Sequence, residues 1–277
     1  MRTIQRDAVG SLLAEIADLA ILPRYQNLRD DDISTKSSAT DFVTIADREA
    51  EAWLTPRLQA ILDCPVIGEE AAALDPTLRA KAGKGVVWTV DPVDGTANFV
   101  NGNDRFCVMV ALANDGVPQQ SWIWLPLHRT LYHATAGGGA EKVHGGSASP
   151  LRAAASSASF AALVGGGNVK GLEGEQKNII QQRLRTLPGR RFTGSAGVQA
   201  SMLASGSDDY MAHGRCTPWD HAPVDLLCRE AGCHAAMVAT GAPYHTGDSG
   251  PFMITANQEI WDHLAGTLWA GFAEPAA

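Results

Sequence analysis

Residues 86–102 read VVWTVDPVDGTANFVNG. The stretch begins as a run of β-formers without polar alternation, the pattern of a strand covered on both faces. It ends in two carboxylates, Asp91 and Asp94, with a proline between them and a glycine after them. Two like charges held so close repel, and the arrangement costs stability unless something positive sits between them. Turn chemistry explains part of it. Asp-Gly and Asn are turn residues, and Asp94 can cap a helix starting near Thr96. Capping leaves Asp91 idle. Ligands of open α/β sheets gather at the carboxyl ends of buried strands. The stretch therefore requires a covered sheet and hints at a cation site whose other ligands lie elsewhere in the chain.

The bulk of the chain allows such a sheet. With 277 residues, 45% of them hydrophobic, it can bury one large domain or two half-domains sharing a core. We divide it near Pro150, where the sequence turns to the Ala/Ser-rich LRAAASSASFAA. Residues 1–150 form an α+β half with most of the candidate metal ligands, and residues 151–277 an α/β half completing the site. The patch lacks charge and proline, so it reads as a seam within one compact unit.

Net charge is -8, and no basic run interleaved with aromatics occurs, which points away from nucleic acid. The cysteine count is odd, at 5, with no Cys-x-x-Cys pair, so a reducing, cytoplasmic setting is expected. The N-terminus has no apolar signal core, and the longest apolar run, 106–113, is far too short to span a membrane.

The spacing of Val9, Leu12, Leu13, Ile16, Leu19 and Ala20 predicts a helix ended by Pro23. Residues 24–43 read as a polar loop or mobile arm. A second helical pattern follows, with Pro56 inside it marking a kink or break. Strands are expected at PVI, VVWTV, FCVMVAL, QSWIWL and TLYHAT, with a hairpin at Asp115-Gly116 and turns at Gly137–Gly139 and Gly145-Gly146. Beyond the seam, strands at FAALVG, RRF, DDYMAH, HAAMVA and FMITA alternate with helices at about 174–186, from Ser195, from Trp219 to Ala231, and from Asn257. Such alternation implies α/β layering.

The other candidate ligands also sit at element ends. Glu69 and Glu70 follow PVI, and Asp220 lies in TPWDHAPVD near a helix start. Hard oxygen donors recur, and the histidines and cysteines show no paired metal-binding spacing, a palette that favours magnesium over zinc. Two Mg²⁺ ions roughly 3.5–4 Å apart are able to share such acids and clamp a phosphate. Gly95 lets the backbone approach a ligand, a helix opening at Thr96 offers N–H groups to an anion, and the Thr96 hydroxyl can position a water. Metal-assisted hydrolysis of a phosphate ester follows from these pieces together. Taken singly, a Glu-Glu pair is a common solvated helix start and Asp220 a common cap.

Four ordered motifs now resemble the inositol monophosphatase family of magnesium-dependent, lithium-sensitive phosphatases. They are KSSATDFVTIAD at 36–47, GEE at 68–70, WTVDPVDGTANF at 88–99 and WDHAPVDLLCREAG at 219–232. The resemblance implies a layered αβαβα sandwich of the inositol monophosphatase and sugar phosphatase type, a homodimer, and two or three Mg²⁺ ions. It implies that Glu69 binds a metal and helps activate water. Asp91 would bridge metals, the Val93 carbonyl would be a further ligand, and Asp94 and Asp220 would hold the second metal. Thr96, supported by Asp47, would hold the nucleophilic water, and the Gly95 and Thr96 amides would receive phosphate. Lys36 would lie in an arm that closes on the site. Gly194, Ser195 and Ala196 would face the substrate, with Asp94, Asp220 and His213.

The departures from the family pattern concern the substrate side. Phosphatases acting on inositol carry a glutamate where this chain has His213. Pro223 stands early in the last motif's helix, and His144-Gly145 replaces an Asn-Gly hairpin. The acids and any bound phosphate are expected to favour the charged form of His213, with the metals opposing. The expected substrate is a small phosphorylated metabolite: inositol 1-phosphate or another polyol or sugar phosphate, with histidinol phosphate or a 3′(2′),5′-bisphosphonucleotide as alternatives. A reading from another class is a metal-binding regulatory protein without turnover.

Overall fold

The computed structural model describes residues 3–35, 42–154 and 159–272. Lys36 and Asp41 lie outside the described residues. Helix α1 (Arg6–Ile16) is followed by the antiparallel pair of β1 (Ile33–Thr35) and β2 (Phe42–Thr44) and then by helix α2 (Ile45–Ile61). Next come β3 (Val66–Gly68), α3 (Glu69–Leu74), β4 (Val86–Asp94) and the short α4 (Thr96–Val100). A meander follows: β5 (Cys107–Asn114), β6 (Val117–Leu125), β7 (Thr130–Thr135), β8 (Gly139–His144) and β9 (Ser147–Pro150). The remaining elements are β10 (Gly165–Asn168), α5 (Gly174–Thr186), α6 (Ala196–Ala204), β11 (Tyr210–His213), α7 (Pro218–Glu230), β12 (His234–Met237), β13 (Phe252–Thr255) and α8 (Gln258–Thr267).

Strands β3 to β9 lie side by side in one seven-stranded sheet, with only β3 and β4 parallel. A second sheet has the order β10-β11-β13-β12. The unalternating sequence of β5 has a direct cause. Val108, Val110 and Leu112 pack with Val9, Leu13, Ala50 and Leu54 of α1 and α2, whereas Cys107, Met109 and Ala111 pack with Ala200, Leu203 and Val224 of α6 and α7. Helix α7 is buried almost all round because it lies between the two sheets. Helices α5 and α8 cover the far side of the smaller sheet through Ile180, Leu184, Ile260 and Leu264. The layers run αβαβα. Among the described residues no helix is long and apolar enough to cross a membrane.

Several local expectations change. The first helix passes Ala17 as a π-turn to Ile21 and a 3₁₀ turn over Leu22–Arg24 that includes Pro23. The wider turn shifts the helical phase, so Leu19 is exposed while Ile21 is buried. Pro56 does not break α2, which is continuous for 17 residues. The strand expected at FAALVG sits instead at Gly165–Asn168, and Phe160–Ala162 is a 3₁₀ turn. A Cβ at Gly166 or Gly167 would overlap the Arg191 or Ala212 carbonyl, so only a glycine strand approaches so closely. The RRF segment pairs with that strand only at Gly165 and Arg190 and forms no strand of its own.

Candidate active site and cation pocket

Residues three apart on a regular strand point to opposite faces. Asp91 and Asp94 do not, because the β4–β5 register shifts between them: Asp91 pairs with Met109 and Asp94 with Cys107. Three steps on β4 span two on β5, so Pro92 and Val93 form a bulge that brings both acids to the face covered by α7. After Asp94, Gly95 takes φ +88, where a Cβ would lie 2.7 Å from the Arg105 carbonyl oxygen. The chain then turns at once into α4.

Glu69 opens α3 at the end of β3, and Asp220 lies in the first turn of α7. One carboxylate oxygen from each of Glu69, Asp91 and Asp220 lies within 4.8 Å of the others. Asp91 is 1% exposed. Burial, followed by the charges of Glu69, Asp94 and Asp220, pushes its carboxyl well above the usual range. Against its own burial, Asp220 moves the other way, held below the usual range by His221, the Asp91 bond and Lys170. A buried acid that is pushed up by its acidic neighbours marks a place where a positive charge would be stabilising. Oxygen-only donors suit a hard divalent cation, so the residues fit Mg²⁺.

Asp94 stands differently. Its oxygens accept bonds from the Ala196 amide (3.1 Å), the Gly197 amide (2.8 Å) and the Ser195 hydroxyl, with the Cys107 thiol at 3.3 Å. It does not belong to the 4.8 Å cluster. Ser195 is the N-cap of α6, accepting from the Val198 amide at 3.1 Å, so Asp94 serves as a buried anion at that helix start. Burial and Asp220 raise its pKa, opposed by these bonds. The Gly194–Ser195–Ala196 turn is tied to the central motif through Asn98, whose amide donates to the Thr193 carbonyl (2.8 Å) and the Arg105 carbonyl (2.6 Å).

The Thr96 hydroxyl lies 3.1 Å from Asp47 Oδ1 and 2.9 Å from the Val93 carbonyl oxygen. The other oxygen of Asp47 accepts from the Thr44 amide (2.8 Å) and hydroxyl (2.5 Å), closing a capping box at the start of α2. Asp47, Thr96 and Val93 are thereby joined in one network.

Glu51 is a residue that sequence reasoning missed. It is buried on α2, and its two oxygens accept from the Glu70 and Ala71 amides, both at 2.8 Å. A Cβ at Gly68 would overlap its carboxylate. Glu51 therefore caps α3 and holds the backbone from which Glu69 projects. A signal was present: Glu51 follows Asp47 by one turn, on the stripe of Leu54 and Leu58 that faces the core.

His213 ends β11 and is 6% exposed. Its Nδ1 lies 2.8 Å from Nε2 of His221, whose own Nδ1 accepts from the Thr217 amide at 3.0 Å. Burial and its neighbour His221 push His213 down to about 3, and burial pushes His221 down to about 4. The expected drift of His213 toward the charged form is overturned, because desolvation and the adjacent ring outweigh Asp220.

The fold and site together are those of a layered αβαβα sandwich with a carboxylate cluster at its strand ends. A family model described as "Inositol monophosphatase family" matches residues 5–250, and the chain belongs to that family. It is 31% identical over 241 residues to "Inositol-1-monophosphatase SuhB" of Mycobacterium tuberculosis, covering 85% of this chain and 81% of that protein. It is 28% identical over 229 residues to "Inositol-1-monophosphatase" of Bacillus subtilis, covering 82% and 81%. Among solved structures, a lithium-soaked staphylococcal inositol monophosphatase-1 superposes with a TM-score of 0.81 at 21% identity, over 99% of this chain and 98% of that one. At that identity the likeness bears on fold alone.

Proposed function

We propose that the chain hydrolyses a small phosphate monoester by Mg²⁺-dependent attack of water. The observation that carries this reading is the meeting of Glu69, Asp91 and Asp220, from three separate elements, within 4.8 Å. These acids, with the Val93 carbonyl and Asp94, would hold two or three Mg²⁺ ions. When bound, the metal supplies positive charge to the phosphoryl oxygens and leaving group and lowers the pKa of water. The chain's own groups do the rest. Thr96, held by Asp47, orients a water and passes its proton toward carboxylate. The Gly95 and Thr96 amides receive phosphoryl oxygen. Ser195–Gly197 and Glu51 keep Asp94 and Glu69 fixed, so little reorganisation is needed during reaction. A cytoplasmic homodimer belongs to the same proposal and is read by sedimentation.

His213 stands as a substrate-contacting residue, with Gly194, Ser195, Ala196, Asp94 and Asp220. A neutral imidazole in place of a glutamate offers a donor where an acceptor is needed for hydroxyl-rich rings. We therefore expect inositol 1-phosphate not to be the best substrate. The test is phosphate release from a panel of polyol, sugar and nucleotide monoesters, with and without Mg²⁺, for wild type and His213→Glu. Release without added metal in the presence of a chelator, or no release from any ester, refutes hydrolysis as proposed. First rank for inositol 1-phosphate, unchanged by His213→Glu, refutes the role of His213.

A further inference from the structure

The two buried histidines form a directed chain. A backbone N–H can only donate, so the Thr217 amide at 3.0 Å requires Nδ1 of His221 to be unprotonated. The Thr217 carbonyl 3.2 Å from the same nitrogen already accepts from the Tyr244 hydroxyl (3.1 Å) and the His221 amide (3.0 Å). The proton of His221 therefore sits on Nε2, which faces Nδ1 of His213 at 2.8 Å and donates to it. His213 must then carry its own proton on Nε2. That atom has no protein partner among the described residues, nor is it among the fully buried polar atoms lacking one. The ring presents a donor with its direction set.

Two cations stand on the loops that meet next to this ring. Gly214, next to His213, donates its amide to the Asn168 carbonyl at 3.0 Å, and a Cβ there would lie 2.7 Å from the Lys170 carbonyl oxygen. Gly171, at φ +82, leaves a Cβ position 2.6 Å from Cβ of Arg215. The loops after β10 and β11 are thus locked together by close backbone approach, with Lys170 and Arg215 exposed beside His213. Neither forms an ion pair with a carboxylate among the described residues. The field of Lys170 reaches both His213 and Asp220, and that of Arg215 reaches His221.

We infer that His221 is a positioning residue that fixes His213 as a hydrogen-bond donor, and that His213 with Lys170 and Arg215 forms a subsite for a second anionic group, carboxylate or phosphate, on the substrate. The substrate part rests on the phosphatase reading above; the ring orientation does not. A neutral donor beside two cations accepts an anionic oxygen without presenting a lone pair to it. A hydroxyl at the same place leaves the cations unused.

The ring orientation is read directly from long-range ¹H–¹⁵N correlations of the histidine side chains in the full chain at neutral pH. Both rings are expected as neutral Nε2–H tautomers. An Nδ1–H or a protonated ring at His213 overturns the inference without any reference to turnover. The subsite is read by comparing glycerol 1-phosphate with 3-phosphoglycerate and glycerol 1,3-bisphosphate, which separate the carboxylate and phosphate sources. The doubly anionic esters are expected to have the higher kcat/KM. Lys170→Met, an exposed change, should lower theirs about tenfold, through KM, and leave glycerol 1-phosphate within about twofold. An equal loss on all three, or preference for glycerol 1-phosphate in the wild type, overturns the subsite. No turnover of any ester refutes the phosphatase reading, while the tautomers still stand or fall separately.

Discussion

Two side-chain clusters that meet at the adjacent Asp220 and His221 of α7, an acid wall and a histidine wall, solve opposite electrostatic problems. On one, Glu69, Asp91 and Asp220 gather negative charge where burial disfavours it, and backbone devices hold the acids in place: a bulge, a helix start and the Glu51 cap. On the other, His213 and His221 are kept neutral by burial, with the cations left outside on exposed loops. The acid wall is incomplete without a cation. The histidine chain begins inside the protein, with the Thr217 amide as its first donor, and ends at His213 Nε2. On the function proposed above, the acid wall would serve metal chemistry and the histidine wall recognition, and substitutions on the two should separate kcat from KM.

The largest effect should come from the acid wall. Thr96→Val removes the hydroxyl that bonds Asp47 and Val93, and kcat should fall by about 10²–10⁴ with KM little changed. A fall in kcat of less than threefold would break the contrast between the walls. Glu51→Gln acts one step further out. It keeps the shape but puts a donor where two amides point, so about 2–3 kcal/mol of stability is lost by chemical denaturation and kcat drops roughly tenfold. Unchanged stability would mean that α3 needs no such cap.

A smaller effect distinguishes the walls by pH, in metal-free protein. Asp91 has a folded pKa raised above its unfolded value, so its stabilising protonated form is lost as pH rises through that raised pKa. Asp91→Asn should therefore melt a few degrees above wild type at pH 7.5, with the gap closing as the pH is lowered. The histidines have the opposite sign: their folded pKa values, about 3 and about 4, lie below the unfolded value, so their contribution is lost as pH falls below about 6.5. His213→Gln should gain on wild type between pH 7 and 5. Gaps that do not change with pH would remove the electrostatic contrast. The smallest expected effect is partial inhibition by Li⁺, uncompetitive or mixed toward substrate; insensitivity to high Li⁺ at fully activating Mg²⁺ would count against a second metal position at Asp94 and Asp220.

The acid wall and its neighbour Asp94 were legible in the sequence because these acids follow element ends: Asp91 and Asp94 close a strand, Glu69 opens a helix and Asp220 lies in a helix's first turn. Bonds that cross the fold were not. Nothing local joins Asp94 to the amides of Ala196 and Gly197, which lie over a hundred residues away, or Glu51 to the start of α3. The charge of His213 was misjudged for the same reason, since its partner His221 is set by the packing of α7 against β11 and β13. In the fold, misplaced strands fell where glycine replaced the β-branched pattern, at Gly165–Asn168, since close approach to Ala212 and Arg191 decides pairing there.

The most direct test is phosphate release by Asp91→Asn at saturating Mg²⁺, with its melting transition checked against wild type. Asp91 is the buried member of the carboxylate cluster, and the substitution removes charge while keeping shape. We predict a folded protein with turnover abolished on every ester that the wild type hydrolyses. Near-wild-type kcat in a folded Asp91→Asn protein would contradict a cation-dependent site at this strand end.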